Sequence, residues 1–106
     1  MIIEKGSYKE MDISKKLADN IRTIKKFGAK RIGLFGSAVR GELKIESDID
    51  ILVEFEEDEK FSNLINLYFY LQDLLSRKID LVTPESISPY LAPYILKEVK
   101  YIEDIS

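Results

Sequence analysis

Apolar and polar residues alternate between Asp48 and Phe55, and this pattern predicts a β-strand with one buried face. The apolar face comprises Ile49, Ile51, Val53 and Phe55. On the opposite face, the Cα atoms of Asp48 and Asp50 would lie roughly 6.6 Å apart, two residues at ~3.3 Å each. Because two like charges on one side repel each other, the pair favours a cation between them, and oxygen ligands suit Mg²⁺ or Mn²⁺. We therefore expect this strand to bury one face in the core and to hold a metal ion on the other.

Two stretches repeat their apolar residues at helical spacing. The first is predicted to begin after a cap at Asp12 or Ser14, to run to about Phe27 and to stop at Gly28. The second covers residues 61–76. We expect both apolar stripes to face the core, and a partner-binding groove is the alternative for the first one. The stripes are Ile13, Leu17, Ile21 and Ile24 in the first helix and Leu64, Leu67, Tyr68, Leu71, Leu74 and Leu75 in the second.

Shorter elements complete a mixed α/β pattern. They are predicted strands at 31–35 and 79–82, a short helix from its N-cap Ser37 to about Gly41, a helix from Tyr90 to about Glu98, and an edge strand at 99–102. Together with strand 48–55 they predict a single domain, residues 1–106, of the α/β (α+β) class. Its small mixed β-sheet should carry helices mainly on one face.

Gly36 and Ser37 form a predicted turn between a strand and a helix, where free backbone N–H groups can bind a phosphate. A Gly-Ser pair alone more often marks a simple turn. For this turn to face Asp48, the strand before it and strand 48–55 must be antiparallel. Asp80 interrupts an apolar strand, and a carboxylate there needs either a hydrogen-bond donor or a metal ion. Beside Asp48 and Asp50 it is the natural third ligand.

Composition narrows the possible chemistry. The 106 residues include no histidine and no cysteine, so imidazole-based zinc sites, histidine acid–base catalysis, disulfides and thiol catalysis are all excluded. The net charge is −3 and there is no basic run, so direct nucleic-acid binding is not expected. No apolar stretch approaches the ~20 residues of a membrane span, and a cytoplasmic location is expected.

The spacing of these residues resembles that of a known superfamily. Gly36-Ser37, ten intervening residues, Asp48-x-Asp50 and a third aspartate on a later strand are similar to the nucleotidyltransferase fold of the DNA polymerase β superfamily. Small size and the run SDIDILVEF resemble the minimal nucleotidyltransferases, the MNT partners of HEPN-domain toxins. The resemblance implies that Asp48, Asp50 and Asp80 hold two Mg²⁺ ions and carry catalysis. It also implies that Gly36 and Ser37 bind the phosphates of ATP.

Two side chains fit further roles in such a reaction. Asp80 is the best-placed group to take a proton from the acceptor hydroxyl, because histidine is absent. Arg40 is a candidate triphosphate contact, since a guanidinium matches phosphate geometry. A surface salt bridge from Arg40 to Glu42 or Glu46 is the alternative.

The resemblance implies transfer of AMP from ATP to a tyrosine of a HEPN toxin, which neutralises the toxin. A single domain of this size is not expected to include a second domain that docks an acceptor, and this favours a protein acceptor. Two alternatives remain: a non-catalytic antitoxin that masks its partner by binding, and a transferase for a small molecule such as an aminoglycoside. The small-molecule alternative would need a substrate pocket built by dimerisation. A homodimer and a hetero-oligomer with the toxin are both considered as assemblies.

Overall fold

The computed structural model of the protein describes residues 10–44, 46–56 and 61–102. Its helices are interspersed among four strands along the chain. They are α1 (Glu10–Asp19), α2 (Ile21–Lys26), β1 (Ala29–Phe35), α3 (Ser37–Arg40), β2 (Ile49–Phe55), α4 (Phe61–Leu75), β3 (Ile79–Val82), a 3₁₀ turn (Pro84–Ser86), α5 (Ala92–Glu98) and β4 (Lys100–Tyr101). The predicted lead-in at residues 1–9 and most of the predicted acidic loop, residues 57–60, lie outside the described residues.

The four strands form one mixed sheet in the order β3-β2-β1-β4. β1 runs antiparallel to both β2 and β4, and β2 runs parallel to β3. The antiparallel β1–β2 pair was predicted from the need to bring Gly36 to the aspartates. Its register places Phe35 opposite Asp50, so the end of β1 meets the start of β2. The predicted mixed sheet is therefore confirmed, and its topology positions the candidate site.

The main hydrophobic core lies on one face of the sheet, beneath α1, α2 and α4. Both helical stripes turn inwards as expected, and the apolar face of β2 packs against them. The side chains with no solvent exposure in this core are Ile13, Leu17, Ile24, Ile32, Leu34, Ile49, Ile51, Val53, Leu67, Leu71 and Leu75. Burial of this apolar surface is the main driving force for the fold. It also fixes the strand register, because a shift of one residue would send Asp50 of β2 into the core.

Leu52 shows that the opposite face of the sheet is covered in part. It points to the same side as Asp50, yet it is buried and does not belong to the main core. The 3₁₀ turn packs beside β2, and Val99 lies over Gly33 on β1, where a Cβ would come within 2.8 Å of the valine side chain. The C-terminal segment therefore covers part of the face that carries the aspartates.

The N-terminal helix departs from its prediction. The single helix expected up to Phe27 is divided at Asn20, whose backbone angles of −114° and 18° are not helical. The Asn20 side chain donates a hydrogen bond of 2.8 Å to the carbonyl of Lys16, which competes with continuation of the helix. α1 already begins at Glu10, so Asp12 and Ser14 lie inside the helix, and the prediction that one of them caps it is wrong.

Other boundaries differ in detail. Gly28 ends α2 as predicted, with a φ of 93° that suits glycine. Ser37 is the first residue of α3, and Gly36 takes the N-cap position that was expected of Ser37. The 3₁₀ turn was not predicted. α5 starts at Ala92, two residues after the predicted Tyr90, and Pro93 lies in its first turn, where proline is tolerated. No helix in the part of the chain that the structure describes is long and apolar enough to cross a membrane.

Candidate active site

Gly36 brings the backbone of the β1–α3 turn against Asp50. Its φ of 72° and ψ of −146° belong to a region that is essentially restricted to glycine. A Cβ at this position would overlap the carboxylate oxygen Oδ2 of Asp50. Glycine is therefore required both for the conformation of the turn and for its close approach to the carboxylate. Ser37 follows at the start of α3 and is half-buried.

Asp50 and Asp80 are direct neighbours across the parallel β2–β3 pair. Neighbouring strands lie ~4.8 Å apart, so residues in register carry their side chains on the same side at close range. Asp48 precedes β2 by one residue and lies two positions before Asp50, which places it on that side as well. Asp48 and Asp80 are exposed, whereas Asp50 is half-buried. The structure thus brings the three predicted aspartates to one end of the sheet.

The surroundings of Asp50 at this site change the pKa of its carboxyl group. Partial burial, followed by the negative charges of Asp80 and Asp48, raises the pKa of Asp50 to about 6. Arg40 acts in the opposite direction. A carboxylate that is held among like charges in this way is stabilised by a nearby cation.

The three aspartates fit a magnesium site by donor type and position. Carboxylate oxygens are the ligands that Mg²⁺ prefers, and a divalent ion would offset the negative charges that raise the pKa of Asp50. Within residues 10–44, 46–56 and 61–102, no three acidic side chains already have a closed metal-ligating arrangement. To share an ion, the side chains of Asp48, Asp50 and Asp80 would have to move closer together than in this arrangement.

Arg40 lies beside the turn and binds two carboxylates. Its Nη1 donates to Glu98 at 2.7 Å, and its Nε donates to Glu42 at 3.0 Å. The salt bridge to Glu42 was one of the expected alternatives. The guanidinium side chain is half exposed, so it remains accessible to a ligand at the Gly36 turn.

Glu98 and Arg77 were not predicted as parts of this site. Glu98, on α5, accepts the backbone N–H of Gly36 at 2.9 Å. This hydrogen bond, together with Arg40, lowers the pKa of Glu98. Arg77, just before β3, donates through Nη2 to the carbonyls of Lys44 at 2.5 Å and Ser47 at 2.7 Å. It thereby anchors the loop that leads into Asp48. No local motif marks either residue, since each reaches its partners from 30 or more positions away along the chain.

A Gly-Ser turn beside three aspartates at one end of a mixed sheet is the arrangement that the resemblance to nucleotidyltransferases implies. The comparison with protein families agrees, because the model of the nucleotidyltransferase domain matches residues 14–102. The chain belongs to the nucleotidyltransferase domain family. Among curated relatives, it is 47% identical over 77 residues to the protein adenylyltransferase MntA of Thermococcus cleftensis. That alignment covers 73% of this chain and 78% of the relative.

Solved structures show the same fold. A chain described as a minimal nucleotidyltransferase aligns with a TM-score of 0.78 and 29% identity, over 89% of this chain and 96% of that one. A toxin–antitoxin complex with AMP-PNP contains a chain with a TM-score of 0.65 and 25% identity, over 84% of this chain and 74% of that one. An MNT antitoxin in complex with a tri-AMPylated HEPN toxin of Shewanella oneidensis aligns at 0.63 and 23% identity, over 90% and 72%, which is a likeness of fold.

Proposed function

We propose that this nucleotidyltransferase is a protein adenylyltransferase that transfers AMP from ATP to a tyrosine of a HEPN toxin and so acts as its antitoxin. The observation that carries the proposal is the register of β2 and β3, which sets Asp50 beside Asp80 at the end of the sheet that Gly36 also reaches. The similarity to a relative named protein adenylyltransferase supports the choice of AMP. The similarity to a chain in a toxin–antitoxin complex supports a toxin as partner.

In this proposal the residues of the site have three roles: metal binding, phosphate binding and proton transfer. Asp48, Asp50 and Asp80 hold two Mg²⁺ ions, which stabilise charge on the attacking and leaving oxygens when bound. Gly36, Ser37 and Arg40 bind the phosphates of ATP. Asp80 takes the proton from the tyrosine hydroxyl as its oxygen bonds to the α-phosphorus. The bond between the α-phosphorus and the bridging oxygen to the β-phosphate breaks, and pyrophosphate leaves.

A protein acceptor is favoured by the exposure of the site. Asp48 and Asp80 are exposed at the end of the sheet, so a free tyrosine or a small molecule would find little to hold it there. A docked partner fixes the hydroxyl in line with the α-phosphate, and orientation of this kind can lower a barrier by roughly 7–11 kcal/mol. We propose that the toxin supplies this orientation in a hetero-oligomer in the cytoplasm, where ATP and Mg²⁺ are available.

The test is intact-mass analysis of a cognate HEPN protein after incubation with this protein, ATP and Mg²⁺. We expect the toxin mass to rise by one or more AMP units, with little turnover of ATP when the toxin is omitted. An unchanged toxin mass, combined with rapid modification of free aminoglycosides, would refute a protein acceptor.

A double variant distinguishes catalysis from neutralisation of the toxin by binding alone. Asp48→Asn with Asp50→Asn should abolish Mg²⁺-dependent transfer while the fold is kept, because the strand retains its apolar face. Removal of repelling charges should also raise the metal-free thermal stability. If this variant neutralises the toxin in cells as well as the wild type does, the protein acts by masking instead.

A further inference from the structure

The carboxylate of Glu98 bridges two donors at the candidate phosphate site. Oε1 accepts the backbone N–H of Gly36 at 2.9 Å, and Oε2 accepts Nη1 of Arg40 at 2.7 Å. A bidentate carboxylate that joins a backbone N–H to a guanidinium forms the same type of charge-assisted hydrogen bonds that a phosphate oxygen pair would form. An anionic group of the chain itself therefore occupies these donors.

We infer that Glu98 is an intramolecular competitor of the nucleotide: it holds the Gly36 N–H and Arg40, and ATP binds fully only when Glu98 withdraws. The inference rests on the proposed function, which assigns Gly36 and Arg40 to the phosphates of ATP. A phosphate and the Glu98 carboxylate cannot take the same N–H, and two anions at this distance repel each other. The contact is therefore autoinhibitory, and its loss tightens nucleotide binding.

The segment that carries Glu98 is suited to such a movement. No residue of α5 is buried. Among the described residues, β4 pairs with β1 through Lys100 and Tyr101, and the N–H of Ile102 adds one hydrogen bond of 2.8 Å to the carbonyl of Ile32. Release of Glu98 therefore leaves the main core intact. Leu91 and Tyr94 at the start of this segment are 55% and 72% exposed, so the position of α5 is open to influence from a molecule that contacts this surface.

The experiment measures binding of α,β-methylene-ATP with Mg²⁺, an analogue that cannot release AMP, by calorimetry. Wild type is compared with Glu98→Gln and with Glu42→Gln as the matched control. Both variants remove one negative charge that pairs with Arg40, but only Glu98 also accepts the Gly36 N–H. We expect Glu98→Gln to bind the analogue at least ~5-fold more tightly, at the lower end of typical coupling between two binding events. Glu42→Gln should change the affinity much less.

Inorganic tripolyphosphate and adenosine serve as additional probes. Because the competition is for phosphate donors, Glu98→Gln should tighten tripolyphosphate binding and leave adenosine binding unchanged. Equal affinities of wild type and Glu98→Gln for the analogue overturn the inference. A weaker affinity of the variant also overturns it and shows that Glu98 instead positions Arg40. If neither protein binds the analogue at millimolar concentration, the proposed function itself fails. Amide hydrogen exchange tests the inference in the wild-type protein, without any substitution. With the analogue bound, the amides of residues 98–101 should exchange faster than in the free protein. Slower exchange would contradict the inference.

Discussion

Replacement of Gly36 by alanine tests the geometry of the site most directly. At φ 72° and ψ −146°, a residue with a Cβ is strained by about 1–3 kcal/mol. The new methyl group also overlaps Oδ2 of Asp50, and its distance to Cγ would be 3.1 Å. Since the end of the carboxylate can rotate, we expect the overlap to be relieved by displacement of Asp50. The substitution should therefore lower stability through strain and metal binding through the displaced ligand.

Gly41→Ala is the matched control. Gly41 also has a positive φ, 73°, but no atom lies within 4 Å of a Cβ there. It adopts the left-handed helical conformation, where alanine costs roughly 1–2 kcal/mol. We expect Gly36→Ala to lower the free energy of unfolding by about 2 kcal/mol or more, which lowers Tm by about 8–16 °C at ~4–8 °C per kcal/mol. Only Gly36→Ala should also weaken Mg²⁺-dependent AMP transfer severely.

Urea unfolding and a magnesium titration of the transfer reaction provide the measurements. In an Asp50→Ala background the carboxylate is gone, so Gly36→Ala should then cost only the strain of its backbone conformation, about 1–3 kcal/mol. The difference between the two backgrounds isolates the contact between residues 36 and 50. If Gly36→Ala and Gly41→Ala unfold at the same urea concentration, and Gly36→Ala transfers AMP at the wild-type rate, the close approach of this turn to Asp50 has no role.

Three further predictions concern the carboxylates, the loop and the core. The raised pKa of Asp50 means that its ionisation opposes folding, so the metal-free free energy of unfolding should fall as the pH rises from about 4 through about 6. Asp50→Asn should flatten this pH dependence in urea titrations. An unchanged pH dependence in the variant would disprove the raised pKa of Asp50. Arg77→Met should remove the hydrogen bonds that hold the loop before Asp48 and lower the free energy of unfolding by about 1.5–3 kcal/mol. It should also raise the Mg²⁺ concentration needed for AMP transfer. A Mg²⁺ dependence equal to that of the wild type would contradict an anchoring role for Arg77. Leu71→Ala, at a side chain with no exposure, should lower the free energy of unfolding in urea by about 2–5 kcal/mol. Ile65→Ala, at a side chain that is 41% exposed, should lower it much less. Equal losses would contradict the assignment of Leu71 to the core.

Much of the fold follows from local pattern. The alternation over residues 48–55 and the helical spacing over residues 61–76 predict elements that the structure contains as Ile49–Phe55 and Phe61–Leu75, each within one residue of the prediction. Both patterns reflect burial of one face, and burial dominates the energy of a small domain. The break at Asn20 could not be read in this way, because the apolar stripe continues through it while a side-chain hydrogen bond interrupts the backbone.

For the candidate site too, some features follow from the sequence and others only from the tertiary structure. Spacing and residue type were sufficient to single out Asp48, Asp50, Asp80 and Gly36, since carboxylates on an otherwise apolar strand and a glycine at a strand end have a chemical meaning in the sequence itself. The parallel register that sets Asp50 beside Asp80 depends on how two strands separated by a helix pair, and that is decided by packing of the whole core. Glu98 reaches the Gly36 N–H across 62 positions. Its role depends on where the C-terminal segment folds back over the sheet, so only the tertiary structure places it at the site.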